Sequence, residues 1–431
     1  MLAALERITP LPRLINTEGI DRAAEIVVEL LPGTRVHEYP SGREYGSWVV
    51  PPRWRCRRGV LSDASGRVIA STDECPLFVP FYSEPVDGWF TKKEMADHVR
   101  TRPDRPHAFP LEHRHAYNYQ LTDWGIALPH RRWLALPDDS RYHVSIAVET
   151  TPGAMKAVSL VLPGRRDDVF CLNAHIDELC NDDVAGCVVA MAAMKQLATL
   201  GDRRYTYHML LTPELLGTVA FIVEERHLVA RTFGMLNLET LGAGADLCLK
   251  KAYTSGSYVE ALLRWTLDER RTPHRLLEFF EGYGNDERVY EWPGTRVPSP
   301  ALQRYPFPEY HTSDDDMPII SGDYLAEALD VVMALLQRLE RDWVPRYTSP
   351  VPPYLSRYGL YYDRWFDEEL HRKFNNDALF AVDGALTVSQ IARRTGIPFA
   401  KLDEYLRRFL GPGLMMAAEP SAVALRSREY A

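Results

Sequence analysis

Four stretches of the 431-residue sequence set histidines and carboxylates where they could share a metal ion. The first is Asn173-Ala174-His175-Ile176-Asp177, which ends a short apolar run and leads through Glu178-Leu179-Cys180-Asn181-Asp182-Asp183 into an apolar segment. An imidazole and a carboxylate seven residues apart, one at a strand end and one at a helix start, can converge on a single ion. Asp177 is close enough in the chain to orient His175 through its other ring nitrogen. A plainer alternative is that Asp182 or Asp183 caps the helix, which aspartate does well. The second and third stretches, Leu211-Thr212-Pro213-Glu214 and Leu236-Asn237-Leu238-Glu239, each place a carboxylate after an apolar run; singly, each reads as a helix-start acid. The fourth is Glu309-Tyr310-His311-Thr312-Ser313-Asp314-Asp315-Asp316, a histidine within an acidic loop. Jointly they make an imidazole and carboxylate donor set that favours zinc, with manganese or cobalt as substitutes.

Such residues need a scaffold that brings strand ends together. Apolar runs at 169–174, 205–212, 233–238 and 247–252 alternate with helical patterns at 184–200, 215–225, 256–268 and 324–341. That alternation predicts an α/β fold with a mixed, mainly parallel sheet flanked by helices, whose ligands bind at the carboxyl ends of the strands. An amphipathic helix is expected over 18–32, ending at Pro32-Gly33, with its apolar stripe on the α/β core. From 45 to 165 the sequence is rich in β-type residues and proline, with hairpin punctuation at Asp63–Gly66 and at Thr151-Pro152-Gly153. Residues 345–360, rich in Pro and Tyr, read as a linker or strap; Leu386–Leu410 reads as helix, Gly-containing turn, helix. The expected domains are therefore an α/β unit of 1–44 and 166–350, a β-rich insertion of 45–165, and a winged helix-turn-helix of 365–431.

The order His-x-Asp, Asn-Asp-Asp, Glu, Asn-x-Glu and Tyr-His-Thr-x-x-Asp resembles the zinc aminopeptidase superfamily, which includes bacterial leucyl aminopeptidases, glutamate carboxypeptidases and glutaminyl cyclases. A closer resemblance is to bacterial aminopeptidase-like proteins with a β-rich insertion and a winged-helix tail, carried by Trp48–Trp54, Tyr119–Ile126, Pro213–Gly217 and Pro308–Ser313. The resemblance implies an amide or peptide hydrolase, an aminopeptidase acting on a small peptide or peptide-like metabolite, with one or two zinc ions. It implies His175, Asp182, Glu239 and His311 as metal ligands, with Asp182 bridging two ions, Asp177 behind His175, and Asp315 in the last place of the His-Thr-x-x-Asp pattern. Members carry two adjacent glutamates after the second strand, a general base and then a ligand; here the residues are Glu214 and Leu215. Counting from the strand makes Glu214 the base, whereas counting back from Gly217 allows it to be a ligand. Tyr283 and Tyr310, in or beside the aromatic segment Gly282–Pro308, are candidate pocket residues. Cys180 has a small claim on the metal, and Cys187 belongs to the buried helix face.

Composition narrows the alternatives. With 46% hydrophobic and 25% charged residues the chain is ordinary globular protein, and its net charge of −9 does not match nucleic acid. No apolar stretch is long enough to span a bilayer, the N-terminus does not resemble a signal peptide, and six cysteines without Cys-x-x-Cys fit a reducing compartment. A cytoplasmic protein is expected. The tail segment 387–410 holds five basic and two acidic residues. It is expected to mediate homo-oligomer assembly without reading DNA, because Asp403 and Glu404 lie among its basic residues and Leu402, Tyr405, Leu406, Phe409 and Leu410 exceed what a small helix needs to bury. The competing readings are an altered-chemistry or degenerate member, such as a mononuclear-zinc acyl transferase, a cyclase or a ligand-binding protein, and a winged-helix regulator.

Overall fold

A computed structural model describes residues 1–113, 118, 122–421 and 425. Part of the Tyr119–Ile126 motif and the end of the tail lie outside the described residues. In chain order the elements used below are helices α1 (Leu2–Ile8) and α2 (Glu18–Leu30), strand β1 (Arg35–Pro40), and strands β2 (Arg53–Asp63), β3 (Val68–Ser71), β4 (Val86–Thr91) and β5 (Arg141–Thr151) of a smaller sheet. Then come β6 (Ala154–Leu162), β7 (Val169–His175), α3 (Val184–Ala198), β8 (Thr206–Thr212), α4 (Leu216–Glu224), β9 (Thr232–Glu239), β10 (Leu247–Lys250), α5 (Tyr258–Arg270), β11 (Arg275–Leu277), β12 (Ala301–Arg304) and α6 (Gly322–Arg341). The chain closes with β13 (Val344–Tyr347), α7 (Val388–Thr395), α8 (Phe399–Arg407) and β14 (Met415–Ala418).

The central sheet has eight strands in the order β1-β6-β8-β7-β9-β12-β10-β11. The pairs β8/β7, β7/β9, β9/β12 and β10/β11 are parallel, and the rest are antiparallel. β7, Val-Phe-Cys-Leu-Asn-Ala-His, is buried at every position, as a strand covered on both faces must be. One of those faces is covered by α3, whose small residues permit close approach. At Gly186 a Cβ would come within 2.5 Å of the Leu238 carbonyl, so glycine lets the start of α3 seat directly against β9.

The apolar stripe of α2 (Ile20, Ala23, Ala24, Val27) packs into this same core. The chain leaves the central sheet after Pro40 and rejoins it at Ala154, so residues 154–165 lie in or beside that sheet and not in the β-rich segment. The intervening residues build an antiparallel sheet of order β3-β2-β5-β4 with a core of its own. Asp63–Gly66 does join two paired strands, β2 and β3. Thr151-Pro152-Gly153 does not close a hairpin: β5 and β6 belong to different sheets, and the turn passes the chain between them. The Gly282–Pro308 segment is also less irregular than its composition suggests, since β12 runs through the central sheet inside it.

The tail has its own core, in which Leu402, Tyr405, Leu406 and Phe409 are buried against Trp343, Phe374 and Ile391. These side chains are satisfied within the chain, which removes the reason for assigning them to a partner. Asp403 is buried too, not set among phosphate-facing groups. Its carboxylate accepts from the Trp343 indole at 2.8 Å, Arg407 at 2.8 Å and Arg341 of α6 at 2.6 Å. Arg393 pairs with Asp268 of α5, and β13 pairs with β14, so the segment read as a strap is partly a strand that ties the tail down. Asp403→Ala would strand the Trp343 N–H in the core, at a cost of about 2–3 kcal/mol. Denaturant unfolding should show that loss; a change below about 0.5 kcal/mol, the size of a surface substitution, would contradict this role.

Candidate metal centre

The ends of β7 and β9 and the loop before α6 deliver their polar residues to one buried cluster. His175, the last residue of β7, sits with Nδ1 3.0 Å from Asp177 Oδ1. Its Nε2 lies 3.1 Å from Asp182 Oδ1 and 3.4 Å from Glu239 Oε1, at the end of β9. The other oxygen of Asp182, Oδ2, lies 3.1 Å from His311 Nε2. One carboxylate thus stands between two imidazoles.

Backbone hydrogen bonds hold that carboxylate in place. Asp315 accepts from the Asn181 and Asp182 amides at 2.6 and 3.1 Å, and the Asn181 side chain accepts from Gly242 and Ala243 just beyond β9. The capping role falls to Asp183, which accepts from the Gly186 and Thr240 amides. Glu239 is fixed by Asn285, whose side chain donates to Oε2 at 2.6 Å. Around the cluster Glu178, Leu215, Thr240 and His311 have φ of +65°, +56°, +51° and +54°. Side-chain-bearing residues adopt this left-handed region at a cost of order 1–3 kcal/mol and hold it only where the surroundings dictate it.

Glu214 is half-buried, and its amide donates to the same Asp177 oxygen that orients His175, at 3.0 Å. Leu215, in the place of a second glutamate, donates its amide to buried Asp286 at 2.8 Å. Tyr283 and Tyr310 stack with centroids 4.1 Å apart, and Tyr310 stacks on His311 at 3.7 Å, so both tyrosines support the histidine ring. Tyr290 of the same aromatic segment is core, and Trp292 is exposed. Cys180 packs against Thr9 and Met317, and Cys187 donates to the His175 carbonyl, so neither thiol points into the cluster.

Two residues to which sequence reasoning gave no role also join the site. Glu178 Oε1 lies 2.6 Å from His113 Nε2, and its Oε2 lies 3.2 Å from His311 Nε2. Glu178 stood in view between His175 and Asp182; for His113, in the β-rich segment, no local signal existed. A cleft of about 410 Å³, lined by Thr9, Arg13, Phe109, Glu178 and Asp315 among others, abuts the cluster without reaching His175 or Glu239.

The electrostatics are those of a place short of positive charge. Burial, with the charges of Glu239 and Asp182 added, pushes the Asp183 carboxyl well above its ordinary value. Burial likewise raises Glu239 to about 7, with His175 opposing. Burial disfavours a charged His175, but the charge of Glu239 and hydrogen bonds to Asp177 and Asp182 outweigh it and raise the ring well above its usual value. Burial also resists ionising Glu178, yet His113 and His311 hold its carboxyl well below the usual range. Among the described residues, Asp182 Oδ2 and Asp183 Oδ2 are buried with no hydrogen bond. Buried carboxylate oxygens are costly, and a divalent cation would satisfy them together with neutral imidazole nitrogen. The donor set therefore fits zinc.

Known proteins share this architecture. A Clostridium acetobutylicum protein named for polysaccharide biosynthesis and an aminopeptidase-like domain is 24% identical over 407 residues, covering 92% of each chain. The crystal structure of a candidate peptidase from the same organism superposes with a TM-score of 0.85 at 22% identity, covering 97% of this chain and 96% of that one. A zinc aminopeptidase of Bacillus subtilis gives 0.57 at 16% identity, covering 78% and 94%. Residues 2–342 match the family described as a domain of unknown function, DUF4910, and the chain belongs to that family.

Proposed function

We propose that this protein is a metal-dependent amide hydrolase of aminopeptidase type, acting on a small peptide or peptide-like metabolite. The observation that carries the reading is Asp182, buried between His175 and His311 with one oxygen toward each. In this reading His175, Asp182, Glu239 and His311 would hold one or two zinc ions, His175 and Glu239 on one side of Asp182 and His311 on the other. The chemistry that zinc would supply when bound there is a water acidified to a pKa of about 7 and polarisation of a carbonyl.

The protein's own residues do the remaining work. Asp177 fixes the His175 ring, leaving Nε2 as the donor that faces the cluster. Glu214, tethered through its amide to that same Asp177, is the carboxylate offered as proton acceptor from water and donor to the departing amine. Tyr310 and Tyr283 wall the His311 side and give a substrate an aromatic surface. Leu215 in place of a second glutamate favours one other reading, a member of altered chemistry. The polysaccharide biosynthesis named for the relative makes an N-acylated amino sugar the first amide to test beside aminoacyl anilides.

Protein purified with zinc should retain at least one ion per chain by elemental analysis, and His175→Ala should lose it while remaining folded by circular dichroism. Because a ligand bound only to the folded state raises its stability, chelation should lower the melting temperature of the wild type and leave that of His175→Ala unmoved. Protein without metal, and indifferent to His175→Ala, would sink the proposal. Glu214→Gln, nearly isosteric but unable to take up a proton, should lower turnover by about 10²–10⁴-fold with zinc content unchanged. If zinc departs together with turnover, Glu214 is a ligand and not the base.

A further inference from the structure

We infer that Glu178 and His113 stand in for the glutamate missing at Leu215 and, with His311 and the outer oxygen of Asp182, complete a second cation position beside the one faced by His175, Asp182 and Glu239. The inference rests on the metal-centre reading above and goes beyond it by assigning two residues and a role for the β-rich segment. The missing carboxylate after β8 starts the argument. Leu215 cannot bind a cation, and its amide is engaged by Asp286. A buried carboxylate nevertheless stands on the His311 side: the Glu178 side chain is 2% exposed, 3.2 Å from His311 Nε2 and 2.6 Å from His113 Nε2. It arrives from the loop after β7 by way of left-handed backbone at φ +65°.

The donor atoms of His113, Glu178 and His311 lie within 4.8 Å of one another, as do those of His175, Glu178 and Asp182. Asp182 Oδ2 is buried and turned to this side, 3.1 Å from His311 Nε2, so a carboxylate oxygen already faces the cluster. Two imidazoles and two carboxylates make an ordinary zinc donor set.

His113 belongs to the β-rich segment, and that segment grips the loop bearing His311. The Leu111 amide donates to the His311 carbonyl at 2.9 Å, Phe109 and Ser313 exchange hydrogen bonds, and Arg105 pairs with Asp314 at 2.5 Å. The insertion thus supplies one ligand and holds another.

Metal counting and cobalt(II) titration of the full chain test this without recourse to turnover. Wild type should bind two ions per chain, with cobalt absorption developing in two steps. Glu178→Gln and His113→Gln should each weaken the second step by about tenfold or more and leave the first within about twofold, since the first set (His175, Asp182, Glu239) is intact. If Glu178→Gln fails to fold by circular dichroism, His113→Gln decides. Two ions retained with unchanged affinity in the folded variants would overturn the assignment, as would one ion in wild type, and either leaves the hydrolase reading standing. No metal in wild type would overturn both.

Discussion

The carboxylate of Asp182 is the point on which the site depends. Its two oxygens address two imidazoles that come from distant parts of the chain, His175 at the end of β7 and His311 in the loop before α6. It can do so because the preceding peptide groups are clamped by Asp315 and the next residue caps α3. α3 in turn seats closely on β9 only because residue 186 is glycine. A shift of the α3 start would separate Asp182 from His175 and from Glu239 together, so the packing of one helix on the sheet sets the distances among three candidate ligands.

The accumulation of buried acids is what the proposed cation would offset. Asp182, Asp183, Glu239, Asp315 and Glu178 lie in or beside the same cluster, all buried. Desolvation resists ionising Asp183, Glu239, Asp315 and Glu178, and repulsion among neighbouring carboxylates adds to the cost of Asp183, Glu239 and Asp315. The histidines offset part of it by taking up protons, as the high value of His311, about 10, reflects: the charge of Glu178 overcomes the burial that opposes it. Evolved sites carry such strain where it serves chemistry, and the ring of left-handed residues is the backbone counterpart.

Much of this arrangement was legible in the sequence, and the failures have physical causes. His175, Asp182, Glu239, His311, Asp177 and Asp315 stand at strand ends or in the short motifs that carry the resemblance, and the structure brings them together. Glu178 stood in the same loop, but no spacing rule says which of several acids in a loop turns inward. His113 lies 65 residues from its partner Glu178, and such a contact leaves no periodic trace. A Pro-Gly pair reports that the chain bends; it does not report whether the flanking strands pair, which is why β5 and β6 were expected in one hairpin. β12 is four residues long and framed by prolines, too short for periodicity. The tail helices looked over-supplied with apolar residues because their own core, built with Trp343 and Phe374, comes from segments distant in sequence.

The central claim, that a metal ion sits at Asp182 between the two imidazoles, is tested most directly by zinc-edge anomalous diffraction from crystals of zinc-loaded protein. A peak at about 2.0–2.2 Å from both His175 Nε2 and an oxygen of Asp182 is the expected result. A map with no anomalous peak at the cluster, from protein of native fold, would contradict the account.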